Sequence, residues 1–134
     1  MTEADIQKTL ATLLDSLGLL WTATANGGKR DRRTGASLKA QGVKPGVPDI
    51  IIFSPPPLHP DKRGCMIELK RPKGLKKAKG RLSAHQRIWL DELSQIGWIA
   101  EVAYGYEHAI SILIDAGYLA PQPQPQPQPQ QGQP

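Results

Sequence analysis

Residues 46–54 read Gly-Val-Pro-Asp-Ile-Ile-Ile-Phe-Ser, and residues 64–70 read Gly-Cys-Met-Ile-Glu-Leu-Lys; the interval between them is rich in proline. Asp49 opens a β-branched run, Ile50 to Phe53. The block Pro55-Pro56-Pro57 forbids that run from continuing as a strand, because proline donates no ladder hydrogen bond. The chain must therefore turn before a second strand, Met66 to Lys70. Strand side chains alternate between faces, so Glu68 and Lys70 share one face while Ile67 and Leu69 take the other. If the two strands pair as a hairpin, Asp49 comes beside Glu68. Two hard oxygen ligands of the kind magnesium prefers would then stand together, with the Lys70 ammonium next to them.

Outward from this centre, the N-terminal segment begins with Thr2 and Asp5 in capping-box spacing. Ile6, Leu10, Leu13, Leu14 and Leu17 then recur at helical intervals until Gly18. Carrying the stripe back three residues reaches Glu3, which is expected on the core side; the plainer account is a first-turn acid favoured by the helix dipole. Leu19 to Thr24 alternates as a strand, and Asn26-Gly27-Gly28 breaks it. Lys29 to Lys44 has no sustained periodicity, ends in the Gly42 to Pro48 punctuation and reads as a mobile basic loop.

Beyond the central strands, Arg71 to Arg81 holds Pro72, two glycines and no acid, and reads as a second basic loop. Ser83 and Gln86 form another capping-box pattern, before a helix whose apolar face carries Leu82, Trp89, Leu90, Leu93 and Ile96. Gln86 is open to two readings, as a cap or as a contact to the site around Glu68. Trp98 to Tyr104 reads as a last strand and Glu107 to Ala116 as a last helix. His59, His85 and His108 are read as surface, turn or capping residues. The predicted order is helix, strand, strand, strand, helix, strand, helix: an αβββαβ core with a mixed central sheet flanked by helices, followed by one more helix.

The chain of 134 residues fits one domain, with 39% hydrophobic content for a core. Its domain is expected over residues 1–119. Residues 120–134 alternate proline and glutamine and are expected to be a disordered, extended tail, either a solvated spacer or a ligand for an unidentified aromatic-grooved partner. The net charge of +5 is unevenly spread: six of the 17 basic residues lie between Lys29 and Lys44 and seven between Lys70 and Arg81. Such blocks either contact an anionic partner, nucleic acid before membrane, or are simply solvated loops. The single cysteine, Cys65, excludes an internal disulfide, and the His and Cys positions offer no zinc spacing. No apolar run is long enough to span a bilayer and no signal-peptide pattern is present, so a cytoplasmic protein is expected.

Hydrolysis of a phosphodiester needs a hydroxide from water, neutralisation of charge on the phosphoryl oxygens, and help for the leaving oxygen. Asp49 and Glu68 could hold magnesium for that chemistry, with Lys70 stabilising developing charge and Glu3 completing the set. Each acid alone has a structural explanation. Their convergence between two basic segments does not.

These residues resemble a known family. Pro48-Asp49 followed by Glu68-Leu69-Lys70 is similar to the PD-(D/E)xK nuclease superfamily. The runs N-G-G at 26–28, G-V-K-P-G-V-P-D-I-I-I-F at 42–53, I-E-L-K at 67–70 and L-S-x-x-Q-x-x-W-L-x-x-L at 82–93 resemble the VRR-Nuc family. The resemblance implies a restriction-endonuclease-like fold and a Mg2+- or Mn2+-dependent endodeoxyribonuclease. For a chain of this size it implies a bacterial or phage homodimer acting on branched DNA such as four-way junctions. It implies Glu3 as a helix-borne acid, Asp49 and Glu68 as metal ligands with Glu3, Lys70 as the catalytic lysine and Gln86 as a helix glutamine of the site. The basic segments would contact the DNA backbone through Lys29, Arg30, Arg32, Arg33 and Lys44 and through Arg71, Lys73, Lys76 and Lys77. Two alternatives from other classes are a non-catalytic DNA-binding module of the same fold and an adaptor acting through its tail.

Overall fold

The computed structural model describes residues 1–24, 32–74 and 78–122. The Asn26-Gly27-Gly28 run, Lys29, Arg30, Lys76, Lys77, the side chain of Arg32 and the tail from residue 123 lie outside the described residues.

Eight elements follow one another: α1 (Glu3–Ser16), β1 (Trp21–Ala23), α2 (Arg32–Ala40), β2 (Ile50–Ile52), β3 (Cys65–Lys70), α3 (Ala84–Gln95), β4 (Ile99–Tyr104) and α4 (Tyr106–Ala116). Both expected capping boxes form. Thr2 Oγ1 accepts from the Asp5 N–H at 3.1 Å, and Asp5 Oδ2 accepts from the Thr2 N–H at 3.0 Å. Ser83 and Gln86 repeat the pattern at the start of α3. Each box satisfies donors that a helix N-terminus otherwise leaves unpaired.

The sheet has four strands in the order β1-β2-β3-β4, with β1–β2 and β2–β3 antiparallel and β3–β4 parallel. This is the mixed sheet flanked by helices expected of a restriction-endonuclease-like core. Ile50 pairs with Ile67 and Ile52 with Cys65. β2 stops at Ile52, as the proline block requires, and the turn beyond it is pinned to the end of α4 by the Leu58 N–H to the Ala116 carbonyl at 3.0 Å.

One face of the sheet presents Ile50, Ile52, Cys65, Ile67, Leu69 and Ala103 to α1 and α4. There they meet Ile6, Leu10 and Leu14 and Ala109, Ile112, Leu113 and Ala116 in a single buried cluster. α3 packs on the opposite face, burying Leu90 and Leu93. β3 is thus covered on both sides, and Glu68, on the α3 side by alternation, is only 3% exposed. Among the described residues no helix is long and apolar enough to cross a membrane.

α2 corrects the expectation of a loop from Lys29 to Lys44. Its nine residues include Gly35, and none of those whose burial is described, Arg33 to Ala40, belongs to the buried core, so no apolar stripe announces it. The stop signal is legible afterwards. Gly42, at φ +100°, sends its N–H to the Lys39 carbonyl while Val43 sends its own to Leu38, a Schellman closure.

Leu10 is fully buried between α1 and the sheet. Leu10→Ala is expected to lower stability by about 2–5 kcal/mol, read as a fall in the urea midpoint with an unchanged slope. A loss well under about 1 kcal/mol would contradict this packing.

Candidate active site

The β2–β3 register decides the site. Extended by one residue, the antiparallel pairing of Ile50 with Ile67 sets Asp49 opposite Glu68. Residues directly opposite in such a pair point to the same face. Asp49 is wired on both sides. Its Oδ2 accepts the Leu69 N–H at 2.7 Å, and its carbonyl accepts the Thr24 N–H at 2.8 Å. The hairpin condition set by the sequence is met.

Glu68 Oε1 accepts from Gln86 Nε2 at 2.8 Å and lies 3.9 Å from Lys70 Nζ. Glu68 Oε2 is buried without a hydrogen-bond partner among the described residues. A carboxylate in that position is costly to ionise. Burial first, and then the neighbouring Asp49 charge, pushes Glu68 up to about 8, against the opposing Lys70 charge. Asp49 is raised as well, chiefly by burial and further by the Glu3 charge, while the Leu69 N–H and Lys70 hold it down.

Gln86 serves both roles left open by the sequence. Its Oε1 accepts from the Ser83 N–H at 2.9 Å, so its Nε2 is the end left to face Glu68. The start of α3 therefore decides which oxygen of Glu68 is occupied. The loop before Asp49 is fixed to the same helix: Trp89 Nε1 donates to the Pro45 carbonyl at 3.0 Å. Gly46, at φ +91°, approaches so closely that a Cβ there would fall 2.5 Å from the His85 carbonyl carbon and 2.7 Å from the Gln86 nitrogen. Only glycine meets both demands.

Glu3 departs from its expected place on the core side. It is exposed, because α1 begins level with the residue after β3, and its Oε1 accepts the Arg71 N–H at 3.2 Å. Glu3, Asp49, Glu68, Lys70 and Gln86 nevertheless line one cleft of about 730 Å³. Leu38 and Lys39 of α2, then Val43 and Lys44, and His85 at the start of α3 line the same cleft. Leu38 and Lys39 were missed as lining residues because α2 holds too few apolar residues to mark a face for the core.

Of the expected DNA contacts, Lys44 lines the cleft, whereas Arg33 and Lys73 are exposed outside its lining. The Arg71 guanidinium is engaged locally, donating from Nε and Nη2 to the Ala78 carbonyl at 3.2 and 2.9 Å.

Among the described residues, no group of three or more His, Cys, Asp and Glu side chains is arranged to hold a metal ion. Magnesium does not require one. It commonly takes one or two carboxylates and keeps its waters, and a half-buried Asp49 beside a buried Glu68 whose Oε2 has no hydrogen bond among the described residues fits that habit.

A family model described as "VRR-NUC domain" matches residues 1–107. Among solved structures, a "VRR_NUC domain protein" aligns with a TM-score of 0.62 at 22% sequence identity, over 87% of this chain and 88% of that one. No curated protein matches.

Because Glu68 is raised from an ordinary 4.5 to about 8, the folded state holds its proton more tightly than the unfolded chain does. That contribution to stability is complete below the ordinary value and is lost as pH rises through the folded one. Without divalent metal, the thermal midpoint is expected to fall between about pH 4.5 and about pH 8, and Glu68→Gln should flatten the profile. An equal slope in the variant would show that Glu68 is not the group responsible.

Proposed function

The chain belongs to the VRR-NUC domain family, and on that premise we propose that it is a Mg2+- or Mn2+-dependent endodeoxyribonuclease that hydrolyses phosphodiester bonds. The observation that supports the reading is the pairing of half-buried Asp49 with buried Glu68, which keeps one oxygen without a hydrogen bond among the described residues and has the Lys70 ammonium alongside. A pure binding module gains nothing from buried carboxylates where phosphates must approach, because uncompensated negative charge repels them.

Asp49 and Glu68 are the residues that would hold the cation. When bound, it supplies neutralising charge for the phosphoryl oxygens and lowers the pKa of water. Lys70 stands at the end of β3 with its side chain 15% exposed, so its charge faces the cleft from a position set by the strand. There it stabilises negative charge that gathers on phosphorus-bound oxygen as water attacks. Gln86 keeps Glu68 Oε1 engaged and so leaves Oε2 as the free oxygen. Glu3, which lines the same cleft, would take a proton through water. Attack by water with departure of the 3′ oxygen leaves a 5′-phosphate and a 3′-hydroxyl.

Lys44 and Lys39 on the cleft wall, with the basic residues of the flanking segments, supply the sequence-independent grip on the DNA backbone. Preference for branched DNA, and a homodimer that presents two such clefts to two strands, follow from the family resemblance and belong to the same proposal.

The test is cleavage of labelled single-stranded, duplex, flap and four-way-junction DNA with Mg2+ or Mn2+. The wild type is expected to cut, with branched substrates favoured. Lys70→Ala should lower kcat by about 100- to 1,000-fold while DNA still binds. A wild type that binds every substrate and cuts none with either metal would replace this reading with the non-catalytic binding module.

A further inference from the structure

Lys70 has a neighbour on the side away from Asp49. β3 and β4 run parallel with Lys70 opposite Tyr104, and adjacent strands lie about 4.8 Å apart, so the Tyr104 side chain stands next to Lys70 on the same face. Around it lies a second concavity of about 720 Å³, lined chiefly by Lys79, Gly80, Arg81, Arg87 and Tyr104. Gly80 forms the seam between the two hollows. A Cβ at Gly80 would lie 3.4 Å from both Cβ and Cδ of Lys70, so little more than the lysine stem separates them.

The second hollow is built. The Tyr104 N–H donates to His108 Nδ1 at 3.0 Å, and the Tyr104 ring lies nearly parallel to that imidazole, with 6.1 Å between centroids. Lys79 Nζ sits 3.9 Å from the Tyr104 ring centroid, a cation–π contact that parks the ammonium at the hollow. The segment bearing Lys79 is closed on itself, because the Arg71 guanidinium bonds the Ala78 carbonyl and the Gly80 N–H bonds the Arg71 carbonyl at 3.0 Å. Lys79 is thus presented with little ordering left to do on binding.

The charge is one-sided. Lys79, Arg81 and Arg87 line the hollow and no carboxylate does. Among the described residues, none of the three forms an ion pair. Three cations held together without counter-charge repel one another, and an entering anion relieves that repulsion.

We infer that this hollow is a backbone-phosphate subsite, taking a phosphate of the same nucleic-acid strand adjacent to the one beside Lys70. Arg81 and Arg87 contact its non-bridging oxygens, and Lys79 with the Tyr104 ring borders the nucleoside in between. The strand then runs across the sheet, from the Asp49–Glu68 cleft over Lys70 to Tyr104. The assignment rests on the nuclease reading only for the identity of the phosphate beside Lys70.

Its test uses binding alone. Affinity of the full chain for a labelled DNA duplex is measured in EDTA over a range of salt concentrations, for the wild type, Arg81→Ala, Arg87→Ala and the double variant. Lys8→Ala, exposed on α1 across the sheet, serves as the charge-matched control. Each arginine removed is expected to make the salt slope shallower by about 1 and to weaken binding, with the melting temperature unchanged. The control should keep the wild-type slope. A double variant that binds with the slope of Lys8→Ala overturns the subsite. A shallower slope in the double variant of a protein that cuts no DNA supports the subsite while ending the nuclease reading.

Discussion

Two carboxylates held opposite one another at the end of an antiparallel strand pair, in surroundings that exclude most water, are the constraint around which this molecule is arranged. Ionising both there without a counter-charge is unfavourable, since each loses hydration and each repels the other. The structure offsets the cost locally: Asp49 takes the Leu69 N–H, Glu68 takes the Gln86 amide, and Lys70 stands at 3.9 Å. What remains, Glu68 Oε2, is a buried acceptor that takes no hydrogen bond of ordinary geometry from the described residues. A cation in the cleft or a retained proton resolves the same imbalance. The choice between them links metal, pH and stability.

The elements that position this pair are rigid ones, and they are coupled through the first turn of α3. Ser83 and Gln86 close the helix, and the same Gln86 amide meets Glu68. Trp89, one turn on, holds the Pro45 carbonyl, and Gly46 nestles against the backbone of His85 and Gln86. Pre-set donors and charges are worth more than mobile ones, because no reorganisation is needed when charge develops. Glu3 is the exception. Among the described residues it is held through the first turn of α1 and by the hydrogen bond it accepts from the Arg71 N–H.

Much of this was legible in residue order, for identifiable reasons. Period-two alternation put Glu68 with Lys70, and the Pro55-Pro56-Pro57 block forced the turn that brings Asp49 back beside them. Both capping boxes were readable because their spacing is local. α2 was not, since Gly35 lowers its helix propensity, no core stripe marks it, and its ending at Gly42 and Val43 looks like ordinary loop punctuation until the Leu38 and Lys39 carbonyls are in place. Glu3 misled because helical periodicity reports direction around the axis and not where the helix begins relative to the sheet. The hollow at Tyr104 was hidden for a related reason: Lys79, Arg81 and Arg87 come from separate segments that line one hollow with that ring only in the folded chain.

Charge and shape divide the labour in this account. In the proposed mechanism Asp49 and Glu68 would hold a cation and Lys70 would meet phosphate, in a cleft that Leu38, Lys39, Val43 and Lys44 also line. The most direct measurement of its central claim is calorimetric titration of the metal-free protein with Mn2+ near neutral pH, in buffers of different ionisation enthalpy, for the wild type and Asp49→Asn. Binding that releases protons from the wild type, and is lost or greatly weakened in the variant, is the predicted result, because a cation must displace the proton the pair retains. Binding without proton release, or equally tight binding in Asp49→Asn, would contradict it.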